Sequence, residues 1–399
     1  MVCSFAACAS SSNVDGAPYD GSKQDRITIG VSIWNTNDLM GSKTKQVIEA
    51  CADALDVDVI WFEHEYNASW VRTSVNRLCA AGCDGILFFP TEYRDMKPAI
   101  KTCDREGVYL AQYYSHIVPE DEPEIYFQSL HSQYYVGSVY EDEMENGYNL
   151  TYYLLNNGDR QIGVMCSEGD EITFADRKAG CQLAIDEWNT AHPDDRVYVS
   201  QTVYAKSSTE SCNKAVDELL FSMRDMDGLL VGSGNGTQVV GAMGALRDHE
   251  LSGEVDLVGT GFLNDMKKQL KHDGIYAQSG GNICNPLYAF LLVYQAARDD
   301  HKKEVGQPGA EIICPYIYIS SPEEYEEYEK YFITSLPYSQ EEIADLATYT
   351  PSEIAVAASI LSVRDVKTRH SDKYIEEVRE RKQNAGIDGK DNGESGGSD

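Results

Sequence analysis

The chain has 399 residues, 42% of them hydrophobic and 25% charged, and its 65 acidic and 33 basic side chains leave a net charge of −32. That length exceeds what one hydrophobic core serves, so two lobes are expected. An excess of negative charge repels phosphate backbones, which argues against a nucleic-acid partner, and no run of about 18 apolar residues is present to span a bilayer.

The opening residues Phe5-Ala6-Ala7-Cys8 follow no basic leader and no long apolar stretch. They resemble the end of a bacterial lipoprotein signal whose start is truncated, which implies lipidation at Cys8. Residues 1–26 are then the remnant of a signal and a flexible tether rich in Ser, Gly, Asp and Asn.

From Ile27 a regular alternation begins. Ile27–Ile33 is a short β-branched run of the kind that forms a buried parallel strand, and residues 40–55 carry apolar positions at helical spacing. Strand Val57–Phe62, helix 68–80, strand Asp84–Phe89, helix 95–106 and strand Val108–Gln112 follow. A second series opens at Gln161–Cys166 and continues with helix 174–190, strand Val197–Val203, helix 208–223 and strand Asp227–Val231. Helix 237–249, strand Val255–Gly259, helix 264–271, strand Gly274–Gln278 and helix 285–299 complete it. The halves echo each other, with Ile29-Gly30-Val31 recurring as Ile162-Gly163-Val164 and Asp84-Gly85-Ile86-Leu87 as Asp227-Gly228-Leu229-Leu230. Strands every 25–30 residues with helices between them predict βαβ units, here two doubly wound parallel-sheet lobes. Beyond residue 320 the pattern is helical, at 323–332, 340–346, 353–361 and 372–383, and the last residues, 385–399, form a Gly, Ser and Asp tail predicted to be disordered.

The 11 cysteines are odd in number and show no disulfide spacing, so most are read as buried free thiols. Cys79 and Cys83 lie four apart on a helix end with no His nearby, which is a weak metal signal, and no metal or cofactor is expected.

In open parallel sheets the ligand sits beyond the carboxyl ends of the strands. The loops that follow the strands therefore supply the candidate contacts: Trp34, Asn35 and Asp38; Phe89; Tyr113 and Tyr114; Arg177; Asn235; Thr260 and Phe262; and Asn282. Flat rings stack on the apolar faces of sugars, while amides, carboxylates and guanidinium groups bond hydroxyls.

The segments ITIGVSIWNTNDL, CAAGCDGILFFPTE, ADRKAG, GSGNGTQVVGAMGAL and VDLVGTG, in that order from Ile27 to Ile319, resemble the type I periplasmic binding proteins of the ribose and galactose class. The resemblance implies two lobes joined by a three-segment hinge, with crossings near 127–134, 276–282 and 309–320. It places 27–130 plus 279–308 in the first lobe, 131–278 plus 309–320 in the second, and 321–384 in a helical extension. It implies that Arg177, three residues before Gly180, forks onto ligand hydroxyls, and that Asn235 binds ligand after the second lobe's third strand. Tyr113-Tyr114 stand where the family has an Asp-Arg pair, Phe89 where it has an amide, and Thr260-Gly261-Phe262 where it has an aromatic-Asp pair. These departures add aromatic surface and point away from a simple pentose.

The implied function is that of a monomeric, lipid-anchored solute receptor outside the cytoplasm. It closes on a sugar, glycoside or similar polar metabolite and delivers it to the permease of an ABC transporter. Presentation of the ligand to a chemotaxis or two-component sensor is the alternative. An enzyme is the weaker reading, since the sequence has no phosphate loop, Gly-x-Ser-x-Gly elbow or His-Glu-x-x-His motif.

Overall fold

The computed structural model describes residues 26–372, apart from 168–171, 207, 233–235, 264, 272–273, 282 and 299–301. Cys8 and the tail 385–399 lie outside the described residues.

The first lobe is built from β1 (Thr28–Ile33), α1 (Leu39–Leu55), β2 (Asp58–Glu63), α2 (Ala68–Ala80), β3 (Gly85–Phe88) and α3 (Met96–Glu106). It continues through β4 (Tyr109–Tyr113), α4 (Pro123–His131) and β5 (Tyr135–Glu141). The second lobe takes α5 (Glu143–Asn157), β6 (Gln161–Ser167), α6 (Ile172–Ala191), β7 (Tyr198–Val199), β8 (Val203–Ala205), α7 (Thr209–Ser222) and β9 (Gly228–Val231). To these it adds α8 (Gly236–Asp248), β10 (Asp256–Thr260), α9 (Met266–Lys271) and β11 (Ala277–Gly280). The chain then returns through α10 (Asn285–Ala297) and β12 (Ala310–Cys314) to the first lobe, and through β13 (Ile317–Ile319) to the second.

The first sheet has six strands in the order β12-β5-β4-β3-β1-β2, every neighbouring pair parallel. The second runs β13-β11-β10-β9-β6-β7, with β8 also on β6; β13 alone among these strands runs antiparallel to its neighbour. Both sheets are covered on both faces, which is why their strands read as continuous apolar runs. In the first lobe α2 and α3 bury Val75, Leu78 and Ile100 on one face, while the almost entirely buried α10 covers the other across β3, β4 and β5. In the second, Leu150, Leu154 and Ile185 of α5 and α6 back one face, and Val216 and Val239 of α7 and α8 the other.

These topologies move the boundaries implied by the resemblance. β5 pairs with β4, and β12 pairs with β5, so residues 135–141 and 310–314 belong to the first lobe and not the second. The first crossing falls at 142, between β5 and α5, instead of 127–134. The second falls between β11 and α10, and the third between β12 and β13.

The C-terminal region is helical: α11 (Pro322–Tyr328), a π-type turn (Glu329–Thr334), α12 (Gln340–Leu346), α13 (Pro351–Ser359) and α14 (Val363–Arg369). Ser321, Ser339, Thr350 and Ser362 each cap a helix, accepting the backbone N–H three residues on. The helix expected over 372–383 lies, from residue 373, outside the described residues. Every described cysteine is free, and all but Cys79 are buried. Among the described residues no helix is long and apolar enough to cross a membrane.

Candidate functional site

The carboxyl ends of both sheets face a cavity of about 990 Å³ between the lobes. Its first-lobe wall is aromatic. Trp34, at the end of β1, lies with its ring centroid 4.8 Å from Phe89, 6.1 Å from Tyr114 and 6.3 Å from Tyr66. The indole Nε1 donates to Asp38 Oδ2 at 2.7 Å, and Asp38 Oδ1 accepts the Gly41 N–H at 2.7 Å as the cap of α1. One carboxylate thus starts the helix and fixes the ring.

Tyr66 and Tyr114 reach this wall through unusual backbone. Tyr114 has φ 56°, and Glu65 and Tyr66 have φ 49° and 54°, a left-handed conformation that side chains with a Cβ rarely adopt. His64 holds the turn: its Nδ1 accepts the Tyr66 N–H at 3.2 Å. Burial pushes its pKa down to about 4, with Asp95 opposing, so the imidazole is neutral at physiological pH.

The second-lobe wall is made mostly of smaller side chains: Ser208 and Thr209 at the start of α7, Gly236 and Thr237 at the start of α8, and Thr260 at the end of β10, with the ring of Phe262 just beyond it. Thr260 Oγ1 accepts from Asn146 Nδ2 and lies within bonding distance of Ser279 Oγ, both at 3.0 Å.

At the hinge sits Arg177, 2% exposed. Its Nε donates to Glu143 Oε2 at 2.6 Å, its Nη1 to the Gly232 carbonyl at 3.1 Å and its Nη2 to Tyr316 Oη at 3.1 Å. Tyr316 in turn donates to Glu143 Oε1 at 2.9 Å. Burial opposes the charge, but Glu143 and Tyr316 outweigh it and hold the guanidinium pKa above its ordinary value. Two glycines make the arrangement possible. A Cβ on Gly147 would meet the Arg177 carbonyl at 1.9 Å, and one on Gly180 the Met144 carbonyl at 1.9 Å, so α5 and α6 cross backbone to backbone and bring Glu143 beside Arg177.

Seven of the sequence candidates line the cavity: Trp34, Asp38, Phe89, Tyr114, Arg177, Thr260 and Phe262. Tyr113 does not. It is the last residue of β4, fully buried with its ring packed against those of Tyr114 and Phe89, centroids 5.3 and 6.0 Å away, and its hydroxyl donating to the Ser32 carbonyl at 3.0 Å. Asn35 also stays outside, because its Oδ1 accepts the Asn37 and Asp38 N–H groups at 2.9 and 3.0 Å and closes the turn before α1. Asn235 and Asn282 lie outside the described residues, though their neighbours Gly236, Gly281 and Ile283 line the cavity. Arg177 is present but differs from expectation in that three of its N–H groups are committed to protein.

The sequence reading missed Lys43, Tyr66, Glu143, Tyr316, Tyr328 and Ile333, all of which line the cavity. Tyr66 follows β2, so the strand-end rule would have found it had that strand been treated like the others.

A family profile described as periplasmic binding protein domain matches residues 29–297. The chain belongs to that family. A comparison with curated protein sequences gives no match. Among solved structures, this periplasmic binding protein is similar to an ABC transporter solute-binding protein from Actinobacillus succinogenes with bound D-allose, at 16% identity and TM-score 0.61, covering 76% of this chain and 100% of that one. A periplasmic sugar-binding protein from Pseudomonas fluorescens matches at 15% identity and TM-score 0.60, covering 81% and 92%. A solute-binding protein from Bacillus halodurans with bound myo-inositol matches at 17% identity and TM-score 0.57, covering 76% and 98%. At these identities the likeness establishes the fold, two lobes around a cleft.

Proposed function

We propose that this periplasmic binding protein is the extracytoplasmic receptor of an ABC transporter, taking a sugar or glycoside into the interlobe cleft and presenting it to a membrane permease. The observation that carries this reading is one cavity with rings on its first-lobe wall and hydroxyls and glycines on its second. A polyol ring stacks its C–H face on Trp34, Phe89 and Tyr114 while Ser208, Thr209, Thr237 and Thr260 meet its hydroxyls. Ligand contacts to both lobes favour the closed form, and Arg177, Glu143 and Tyr316 transmit closure because they join the first and third crossings to the end of β9. The solved relatives with bound D-allose and myo-inositol support the ligand class. A lipid at Cys8 would tether the receptor to the membrane.

The test is a thermal-shift screen of the full chain with D-allose, D-galactose, D-tagatose, myo-inositol and their common glycosides. A ligand that binds only the folded state raises the midpoint by an amount set by its concentration over its Kd. A concentration-dependent rise with at least one of them is expected; no rise with any of them refutes the sugar reading. For the anchor, protein made with an intact leader should partition into detergent, and Cys8→Ser should abolish this.

A further inference from the structure

The helical C-terminal region lies beyond the family match, yet two of its residues, Tyr328 and Ile333, line the cleft. Its path explains how. α11 is fastened to the second lobe: it packs on α9, Lys267 pairs with Glu326, and the Tyr328 ring meets Phe262 edge-on at 4.9 Å. Gly281, with φ 81°, leaves the room this needs, since a Cβ there would come 2.7 Å from the Tyr328 ring. From residue 338 onward the region belongs to the first lobe. Tyr338 Oη lies 2.8 Å from Tyr288 Oη in the buried α10, and Gln295 Nε2 donates to the carbonyls of Ala347 and Tyr349 at 3.1 and 2.6 Å. α12 packs on α1 and α13 on β12. Between these anchorages the π-type turn makes a fourth passage from lobe to lobe along one flank of the cleft. Lys43 Nζ holds it there by donating to the Ile333 carbonyl at 2.5 Å and to Gln46 Oε1 at 2.8 Å.

This flank adds apolar surface to the cleft beyond the first-lobe rings. Tyr328 packs on Phe262, the half-buried Ile333 lines the same cavity, and the Lys43 ammonium beside it is occupied by a backbone carbonyl and an amide. At about 990 Å³ the cavity is near the upper end of the roughly 300–1,000 Å³ range of small-ligand sites, which leaves space beyond one hexose ring.

Resting on the receptor reading above, we propose that the extension completes the ligand site, and that Tyr328 and Ile333 select glycosides carrying an apolar aglycone over the free sugar. The sugar ring stacks on the first-lobe aromatics and the aglycone lies against the fourth passage.

Calorimetric titration of the full chain tests this with two probe pairs, D-glucose against phenyl β-D-glucoside and D-galactose against phenyl β-D-galactoside. In at least one pair the phenyl glycoside is expected to bind ten-fold or more tightly than the free sugar. Ile333→Ala should cut that preference to three-fold or less while leaving the free sugar within two-fold. A six-residue Gly-Ser insertion between Ser335 and Leu336 keeps every wall residue but loosens the passage, and should erase the preference in the same way. A free sugar that binds as well as its glycoside, or a preference untouched by both variants, overturns the assignment of the wall and leaves the receptor reading standing. If neither these probes nor the screening sugars bind, the receptor reading itself falls, and this proposal with it.

Discussion

The two walls of the cleft are built on opposite plans. The first lobe presents large rings fixed before any ligand arrives, with Trp34 bonded to Asp38 and Tyr66 and Tyr114 set by left-handed backbone. The second presents Ser, Thr and Gly at strand ends and helix starts. Rigid rings lose little freedom on binding and recognise shape, whereas small hydroxyl side chains let the lobes approach closely and finish the hydrogen bonding. The division assigns initial capture to the first lobe and closure to the second, with Arg177 joining them.

The sharpest way to break that comparison is at the joint. Arg177→Met leaves Glu143 without its cation in a mostly buried place, and should cost about 3–5 kcal/mol in denaturant unfolding and abolish the ligand-induced thermal shift. Next comes the ring wall: Trp34→Ala should cost about 3–5 kcal/mol for the lost packing, as a cavity-forming change in an aromatic residue does, and weaken ligand binding at least ten-fold. If Thr260→Ala weakened binding more than Trp34→Ala, capture would belong to the second lobe instead.

The lobes also differ in how they respond to pH. In the second lobe, burial together with Asp256 and Asp227 raises the pKa of Asp159 to about 7, above its ordinary value of 3.8. The folded state therefore holds a proton the unfolded state has released, and stability falls as pH rises from about 4 to about 7. In the first lobe, His64 is depressed from 6.5 to about 4, so stability falls in the other direction, as pH drops from about 6.5 to 4. Denaturation midpoints measured from pH 4 to 8 should show Asp159→Asn gaining stability at pH 8 and little at pH 4. His64→Gln should flatten the acid limb. The smallest effect is Asn35→Ala, which removes a turn-closing acceptor and should cost about 0.5–1 kcal/mol while leaving ligand affinity unchanged, since Asn35 lies outside the cavity.

Most of the strand and helix rhythm was legible because strands buried on both faces are uninterrupted apolar runs. The stretch holding α4, β5 and α5 was not, and its composition explains why. β5 buries Gly137 and Ser138 beside its tyrosines, and α5 buries Asn146, Gly147 and Thr151, so polar residues occupy core positions and the apolar period fades. Losing β5 displaced the first crossing and hid Glu143, the partner of Arg177. At the site, the rule that ligands meet strand ends found the ring wall but could not separate Tyr113 from Tyr114. Tyr113 ends β4 with its ring packed against those of Phe89 and Tyr114, whereas Tyr114 leaves the strand at φ 56° and lines the cleft, a turn that apolar periodicity does not show. Lys43 and Ile333, 290 positions apart, meet only through the tertiary fold.

The same C-terminal helices bear on biosynthesis. Apart from β13 and α11, the second lobe is one uninterrupted stretch from Glu143 to Gly280, whereas the first is covered by α12 against α1 and α13 against β12, which bury Ile343 and Ile354. On the ribosome, then, most of the later-made lobe is present first, and the earlier-made one must await residues 340–359 before its hydrophobic interior is sealed.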